Sequence, residues 1–461
     1  MTSRVGSLAS RFLPQGAAIL SALIFGSYLV GLLRDRIFAR TFGAGAELDA
    51  YNAAFVLPEL LLDVLVEAGL AAPFIPIFMR LRAGSSDPGE ANRFARTILT
   101  GAVGVMGGAA LVMFVFADAT TALIAPGFSG DQRDLYVDLF RVMLVTPILF
   151  AASLTLGQVL LAEQRFFWYG IAPLLYNGGI IVGTLLFADS LGIYGPAIGA
   201  VIGAVLHLIS RFVGLRGSSF RARFEWVPRT ASVGEFIRLM IPKMISHPVE
   251  PITFLFFTNV ASGLAAGSVT VISYANNFRS VPVSLVGVAF ALAVFPALST
   301  AHATGDRSRF LRLLGSNLTS IALITTLAAV ALIVVGERAV RVLLGGGAFG
   351  PDDVARTAAV LGAFAFSVPF ESVSHLLSRA IYATRHTLLQ VVASLGGLGV
   401  TVLATLALLP GLGIIAIPLG YGIGQAVKVV LLGMALAIRM RSFDASSAPG
   451  VPGGAGAEAA G

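Results

Sequence analysis

A chain of 461 residues that is 56% hydrophobic and only 12% charged, with a mean hydropathy of +0.88, lies outside the range of soluble globular domains and inside that of polytopic helical membrane proteins. The absence of cysteine excludes disulfides and thiolate metal sites, and the five histidines show no paired metal-ligand spacing. The net charge of +7 is read as arginine-rich loops on one side of a membrane rather than as a nucleic-acid surface.

In chain order, Arg4 and Arg11 precede a first apolar run that is too long for a signal-peptide core and leads straight into a second, so no cleaved leader is expected. A membrane helix needs roughly 20 mostly apolar residues. About twelve such runs stand near 14–41, 49–82, 93–117, 134–162, 168–188, 194–216, 233–260, 268–302, 307–335, 352–385, 387–409 and 414–440. Several exceed a straight span, which predicts tilt or kinks.

The first hairpin carries charge where hydrocarbon disfavours it. Arg34, Asp35 and Arg36 sit near the end of one run, and Glu59, Asp63 and Glu67 lie inside the next. A charge at the bilayer centre costs roughly 2.5–3.5 kcal/mol on insertion scales, so these groups call for a wet or paired interior. Glu59, Asp63 and Glu67 are four apart and share a helix face. They form either a proton or cation site, or partners that lock the hairpin by pairing with Arg34 and Arg36. An arginine not neutralised there has the fork geometry to grip a phosphate.

Further along, Lys243, His247 and Glu250 fall within IPKMISHPVEP, where Pro248 and Pro251 interrupt the backbone ladder. Arg279 occupies the second half's counterpart of the early second helix. Glu371, His375 and Arg379 are again four apart, readable as a local ladder, and Lys428 stands alone in the last run. Arg34, Asp35, Lys243 and Arg279 are thus the candidate cavity residues for a substrate. Glu59, Asp63, Glu67 and Glu250 are the candidates for charge balance or ion coupling.

The two halves repeat an order: Tyr51 and Tyr274, Pro58 and Pro282, Pro76 and Pro296, Phe94 and Phe310. Six spans per half implies a parallel repeat about an axis along the membrane normal. The expected fold is therefore an all-α polytopic membrane protein with about 12 transmembrane helices in two pseudo-symmetric six-helix lobes. They are an N-terminal lobe (1–216) and a C-terminal lobe (233–441), joined by a basic linker (217–232) and followed by a disordered tail (442–461). A basic, amphipathic linker on the membrane surface fits its composition. Arginine alternates between loops. Arg80, Arg82, Arg93 and Arg96, then Arg211 to Arg229, then Arg307 to Arg312, then Arg439 and Arg441 mark one side, which places both termini in the cytoplasm. No Walker motif or dinucleotide fingerprint is present, and no catalytic dyad stands out. The chain reads as a transporter rather than an enzyme, with a membrane-embedded transferase as an open alternative.

The residues GLLRD, FGAG, DA, LPELL and FIPIF resemble the signature of the MurJ/MviN lipid II flippases. Gly31, Arg34, Asp35, Phe42, Gly43, Gly45, Asp49, Pro58, Glu67 and Pro76 stand at matching positions. Of these, Gly43, Gly45, Asp49, Pro58 and Pro76 are taken as structural. The resemblance implies the MOP/MATE-like two-lobed fold and alternating-access movement of a polyprenyl-diphosphate-linked saccharide across the cytoplasmic membrane. Peptidoglycan precursor supply would be the setting. It also implies that the family's cavity arginines grip the diphosphate. Here Tyr28, Leu62, Asp63 and Asn277 stand where the family carries such arginines, and Arg279 lies two residues beyond the last.

Three functions follow. One is a flippase for a lipid-linked saccharide or other amphiphilic anion. Another is an ion-coupled exporter of organic cations, which the acidic second helix favours. The third is a non-transporting cell-envelope assembly protein. Expected partners are the substrate and membrane lipids, with no nucleic acid and a monomeric state. No metal or cofactor is expected beyond a coupling proton or sodium ion.

Overall fold

A computed structural model describes residues 15–84, 87, 89–246, 249–384 and 386–446. Within them the chain is helical: α1 (Gln15–Phe42), α2 (Ala46–Leu62), a π-helix (Asp63–Glu67), α3 (Ala68–Gly84), α4 (Glu90–Val115), α5 (Ala117–Ile124), α6 (Gly130–Met143), α7 (Val145–Ala162), α8 (Phe166–Leu191) and α9 (Tyr194–Gly214). Then come α10 (Ala231–Ser246), α11 (Val249–Ser262), α12 (Ser268–Pro282), a second π-helix (Val283–Val288) and α13 (Ala289–Ala303). The chain ends with α14 (Arg307–Leu343), α15 (Pro351–Ala365), α16 (Ser367–Ala383), α17 (Thr387–Leu412), a short 3-10 turn (Gly413–Ile415) and α18 (Ala416–Ser446). α18 thus runs past the point where the tail was expected to lose structure.

By length and composition, eight stretches of the described residues suit a membrane crossing, nine if the pair α15–α16, bent by 43°, counts as one. Some of the eight hold two helices: Thr387–Met440 runs through α17 and α18. The runs at 49–82 and 233–260 are not among the eight.

The helices pack into two compact units, the first comprising Met1–Asn276 with Val335–Val360, the second Asn277–Val334 with Leu361–Gly461. This division differs from the one read off the repeats. Residues 217–232, expected to join the halves, lie wholly in the first unit, where side chains of α4 hold them.

Each unit contains the same two devices. The first is a proline-bearing helix that widens into a π-turn: Pro58 in α2 precedes Asp63–Glu67, and Pro282 closes α12 before Val283–Val288. Proline lacks an N–H and crowds the preceding turn, and π-turns inside helices often mark functional sites. The second is a helix pair in backbone contact. On α9, Gly195, Gly199 and Gly203 form one stripe against Gly179 and Gly183 of α8, and a Cβ on Gly203 would sit 2.4 Å from the Tyr176 carbonyl oxygen. In the second unit, Gly420 and Gly424 of α18 meet Thr405 and Thr401 of α17 at similarly short range. Without a hydrophobic force between helices in lipid, small residues that permit close approach supply the packing.

Phe94 and Phe310, equated in the sequence, are both buried. Phe94 packs on Phe74 and Phe236 in the first unit, and Phe310 on His302 in the second. Each lies near the start of a helix whose first turns carry arginines, Arg93 and Arg96 in α4 and Arg307, Arg309 and Arg312 in α14.

Candidate functional site

In the first unit the Arg34 guanidinium is gripped from two sides. Its Nε and Nη2 donate to Asp35 Oδ1 at 3.1 and 2.8 Å, and its Nη1 donates to Asn177 Oδ1 of α8 at 3.0 Å. Asn177 is itself oriented, because its amide nitrogen donates to the Pro173 carbonyl at 3.2 Å and so turns its oxygen toward Arg34. Tyr51 and Tyr274 are buried nearby, and the Tyr274 hydroxyl donates to the Asp35 backbone carbonyl at 3.4 Å. Arg34 is thus paired with the adjacent Asp35. Arg36 goes elsewhere: its Nη1 donates to the carbonyls of Val342 and Leu343 at 2.7 and 3.3 Å, the open end of α14.

Beside this network lies a cavity of about 350 Å³. Glu59 and Asp63 form one wall with Pro58, at the entry to the π-turn. Thr146 and Phe150 of α7, Tyr169 and Tyr176 of α8, and His207 and Arg211 of α9 form the others. Arg211 was counted among the loop arginines in the sequence, which the structure corrects: it is 1% exposed. Its Nη1 donates to the carbonyls of Trp168 and Tyr169 at 2.9 and 2.8 Å, and the guanidinium lies over the Tyr169 ring at 4.8 Å. Ser153 links it to His207, accepting from Arg211 Nε at 3.4 Å and lying 2.7 Å from His207 Nδ1. Two carboxylates thus share a small, largely apolar cavity with a buried guanidinium and an imidazole. A signal for these residues was present, since His207 and Arg211 stand four apart in an apolar run, and ionisable groups within a span are functional candidates by default. Asn177 carried no such signal.

Asp49, expected to be structural, is 2% exposed. Its carboxylate accepts from the Gly267 N–H, the Thr270 N–H and the Thr270 hydroxyl, each at 2.7 Å. It therefore caps the N-terminus of α12 from another helix, supplying acceptors that the first turn cannot find within itself. Gly267 has φ +85 and a Cβ there would lie 2.0 Å from the Ala44 carbonyl oxygen. Gly43 has φ +67 and abuts the Ala348 carbonyl at 2.7 Å, so the FGAG turn needs its first glycine. Gly45 is extended, with nothing nearer than 3.8 Å to a built Cβ, and the structure gives it no such requirement. Pro76 lies inside α3 with Pro73.

Arg279 lies in the second unit. Its Nη1 donates to the Glu371 carboxylate, and its guanidinium lies under the rings of Phe364 and Tyr421 at 5.3 and 4.7 Å. Both partners are nearly inaccessible. The guanidinium expected to hold an anionic ligand is thus engaged by an internal carboxylate, and Glu371 reaches across to α12. Arg379 stacks on Phe295 and Tyr382. Glu250 is exposed in the first turn of α11 and does not line the cavity. The side chains of Glu67 and Lys243, and all of His247, lie outside the described residues. No cluster of metal-ligating residues occurs among the described ones.

The sequence profile of a family described as "Lipid II flippase MurJ" matches residues 38–448. A relative from Thermotoga maritima, named probable lipid II flippase MurJ, is 31% identical over 365 residues, 78% of this chain and 72% of its own. Among solved structures, a lipid II flippase MurJ in an inward closed conformation superposes with a TM-score of 0.78 at 23% identity, covering 94% of both chains. An inward-facing multidrug resistance MATE family transporter of the MOP superfamily also reaches 0.78 at 15% identity, covering 92% of this chain and 96% of its own. These likenesses establish the shared two-lobed helical fold.

Proposed function

Because the chain belongs to the lipid II flippase MurJ family, we propose that it moves lipid II, or a closely related polyprenyl-diphosphate saccharide, across the cell membrane by alternating access. The family match over 38–448 carries this reading, and Arg34 at its motif position supports it. Taking an isolated charged group into hydrocarbon costs on the order of tens of kcal/mol. A carrier must therefore offer water and cationic donors to the headgroup while the tail stays in lipid. Differential stabilisation of inward- and outward-open states then sets the direction.

Arg34 is assigned to headgroup contact. Asp35 and Asn177 hold it in register and would exchange one hydrogen bond for a phosphate oxygen. Lys243 and Arg279 are assigned secondary contacts, Arg279 only if its pairing with Glu371 opens. The cavity of about 350 Å³ is at the low end of small-ligand sites, too small for a saccharide-peptide headgroup. Glu59 and Asp63 are therefore assigned to charge balance or to coupling with H+ or Na+. The alternating arginine loops support cytoplasmic termini, and the protein is taken to act as a monomer.

The test is replacement of the resident flippase in a bacterium depleted of it. The wild-type chain is expected to restore growth and externally accessible lipid II, and Arg34→Ala to lower flipping at least about tenfold, the loss of one charge-assisted contact. Failure of the inserted wild-type chain to restore flipping, with ordinary phospholipid as the only adduct in native mass spectra, overturns the proposal. One observation favours a second reading, export of small organic cations: the acidic wall of a compact aromatic cavity. Proton-dependent efflux of such a cation without flipping would select it.

A further inference from the structure

The helix α4 carries its last charge at Arg96, and no Asp, Glu, Lys or Arg follows before Val115. The turn Arg96–Gly101 therefore marks the level at which α4 passes from water into hydrocarbon. Residues 218–229 lie along α4 at this level as a strap without helix or strand. Arg96 Nε donates to the Arg221 carbonyl at 2.8 Å, and Nη1 donates to the Glu225 carboxylate at 3.0 Å. Thr100 Oγ1 accepts from the Glu225 N–H at 2.9 Å and Thr97 Oγ1 from the Val227 N–H at 3.3 Å. Phe220 is buried beneath the Arg96 guanidinium, and the Trp226 ring rests against Gly101.

The strap is thus fixed along one side and open on the other. Its open side presents Phe224 at 74% exposure and Trp226 at 61%, interleaved with exposed Arg221, Arg223 and Arg229. Two large aromatics left in water at this level are out of place in a water-facing loop. They suit the headgroup zone, where an indole or phenyl ring meets apolar chain ends and the guanidinium meets phosphate.

We propose that the strap 221–229 docks anionic phospholipid headgroups of the leaflet on the arginine-rich side. Phe224 and Trp226 enter the interfacial zone, and Arg221 and Arg229 select for negative charge. Arg223 serves in part to hold Glu225, to which it donates at 3.2 Å. This surface is separate from the Arg34 site, and its test does not depend on what the protein transports.

The chain has two tryptophans, Trp168 and Trp226, so Trp168→Phe leaves Trp226 as the only indole. The full-length variant is reconstituted in vesicles of phosphatidylcholine with 20 mol% phosphatidylglycerol, a composition chosen on the order of natural anionic content. In one set bromine labels the phosphatidylglycerol, and in the other an equal amount of phosphatidylcholine. An arginine near an anionic surface enriches counter-lipid about fivefold. At least about twofold stronger quenching by brominated phosphatidylglycerol is therefore expected after dilution by exchange with bulk lipid. The double variant Arg221→Gln/Arg229→Gln should bring the ratio to about one, as should about 1 M salt, which shortens the screening length to ~3 Å. Should Trp168→Phe disturb folding, the difference between wild type and Trp226→Phe measures the same quantity. Equal quenching by the two lipids in the unsubstituted strap overturns the proposal, as does an excess that survives the double substitution. Quenching of Trp226 by aqueous acrylamide, with none by either lipid, overturns it outright.

Discussion

Replacing Asp49 by alanine removes three acceptor contacts at once from the start of α12. The Gly267 and Thr270 N–H groups and the Thr270 hydroxyl all point at this one carboxylate, each at 2.7 Å, and the site is closed to water. A buried donor left without an acceptor costs about 1–3 kcal/mol. The hydroxyl can rotate to another partner, but the two amides cannot, and no neighbouring carbonyl lies within their first turn. The expected loss is therefore about 2–6 kcal/mol. Asp49→Asn keeps one acceptor oxygen and should fall between, with the Gly267 amide the more affected because it would face an NH2 group. Hydrogen exchange in detergent at residues 267–271 is the assay. Every 1.4 kcal/mol is a factor of ten, so Asp49→Ala should speed exchange there by at least about thirtyfold while amides of α8 and α9 stay protected. Exchange within threefold of wild type at 267–271 would refute the capping argument.

Three other outcomes are expected. Arg279→Met should destabilise by about 3–5 kcal/mol by leaving Glu371 buried and unpaired, and Arg279→Met/Glu371→Leu should recover most of it, as read by thermal unfolding; an additive double variant would deny the coupling. Gly203→Ala places a methyl against the Tyr176 carbonyl and should cost about 1–3 kcal/mol through overpacking of α8 on α9, whereas Gly178→Ala, which has open space, should be neutral in the same melt. Glu225 is held below its ordinary value of 4.5, chiefly by the hydrogen bond from Arg96. Its contribution to strap docking is thus full above that value and lost as pH falls through the lowered one, so amides of 225–227 should exchange faster below about pH 4.5 and lose this pH dependence in Glu225→Gln.

Much of the architecture was legible in the chain because lipid imposes a harsh filter. Long apolar runs must be helices, since hydrocarbon satisfies no backbone group, and a proline within such a run announces a break. The Pro58 and Pro282 pair marked corresponding places in the two halves, though not the π-turns that follow them, and the charges of Arg34 and Asp35 called for a wet or paired interior. The FGAG turn and Asp49 were marked by resemblance alone, which gave no hint that Asp49 caps a helix more than 200 residues away.

Local periodicity sets which residues share a face of one helix, but not what that face meets. Arg34 is completed by Asn177, 143 residues on, and Arg279 by Glu371, 92 residues on. Arg211, ordinary as a loop cation in a charge count, became a buried cavity wall only when α9 closed onto α8 along its glycine stripe. The basic charge of the stretch 217–232 was visible in the sequence, but not that Arg96, Thr97 and Thr100 tie it to α4. Composition and spacing determined that charges would have to be sheltered. Only tertiary packing decided which charges meet, because hydrogen-bond and ion-pair partners are chosen by distances across helices, and those distances follow from which small residues let the backbones approach.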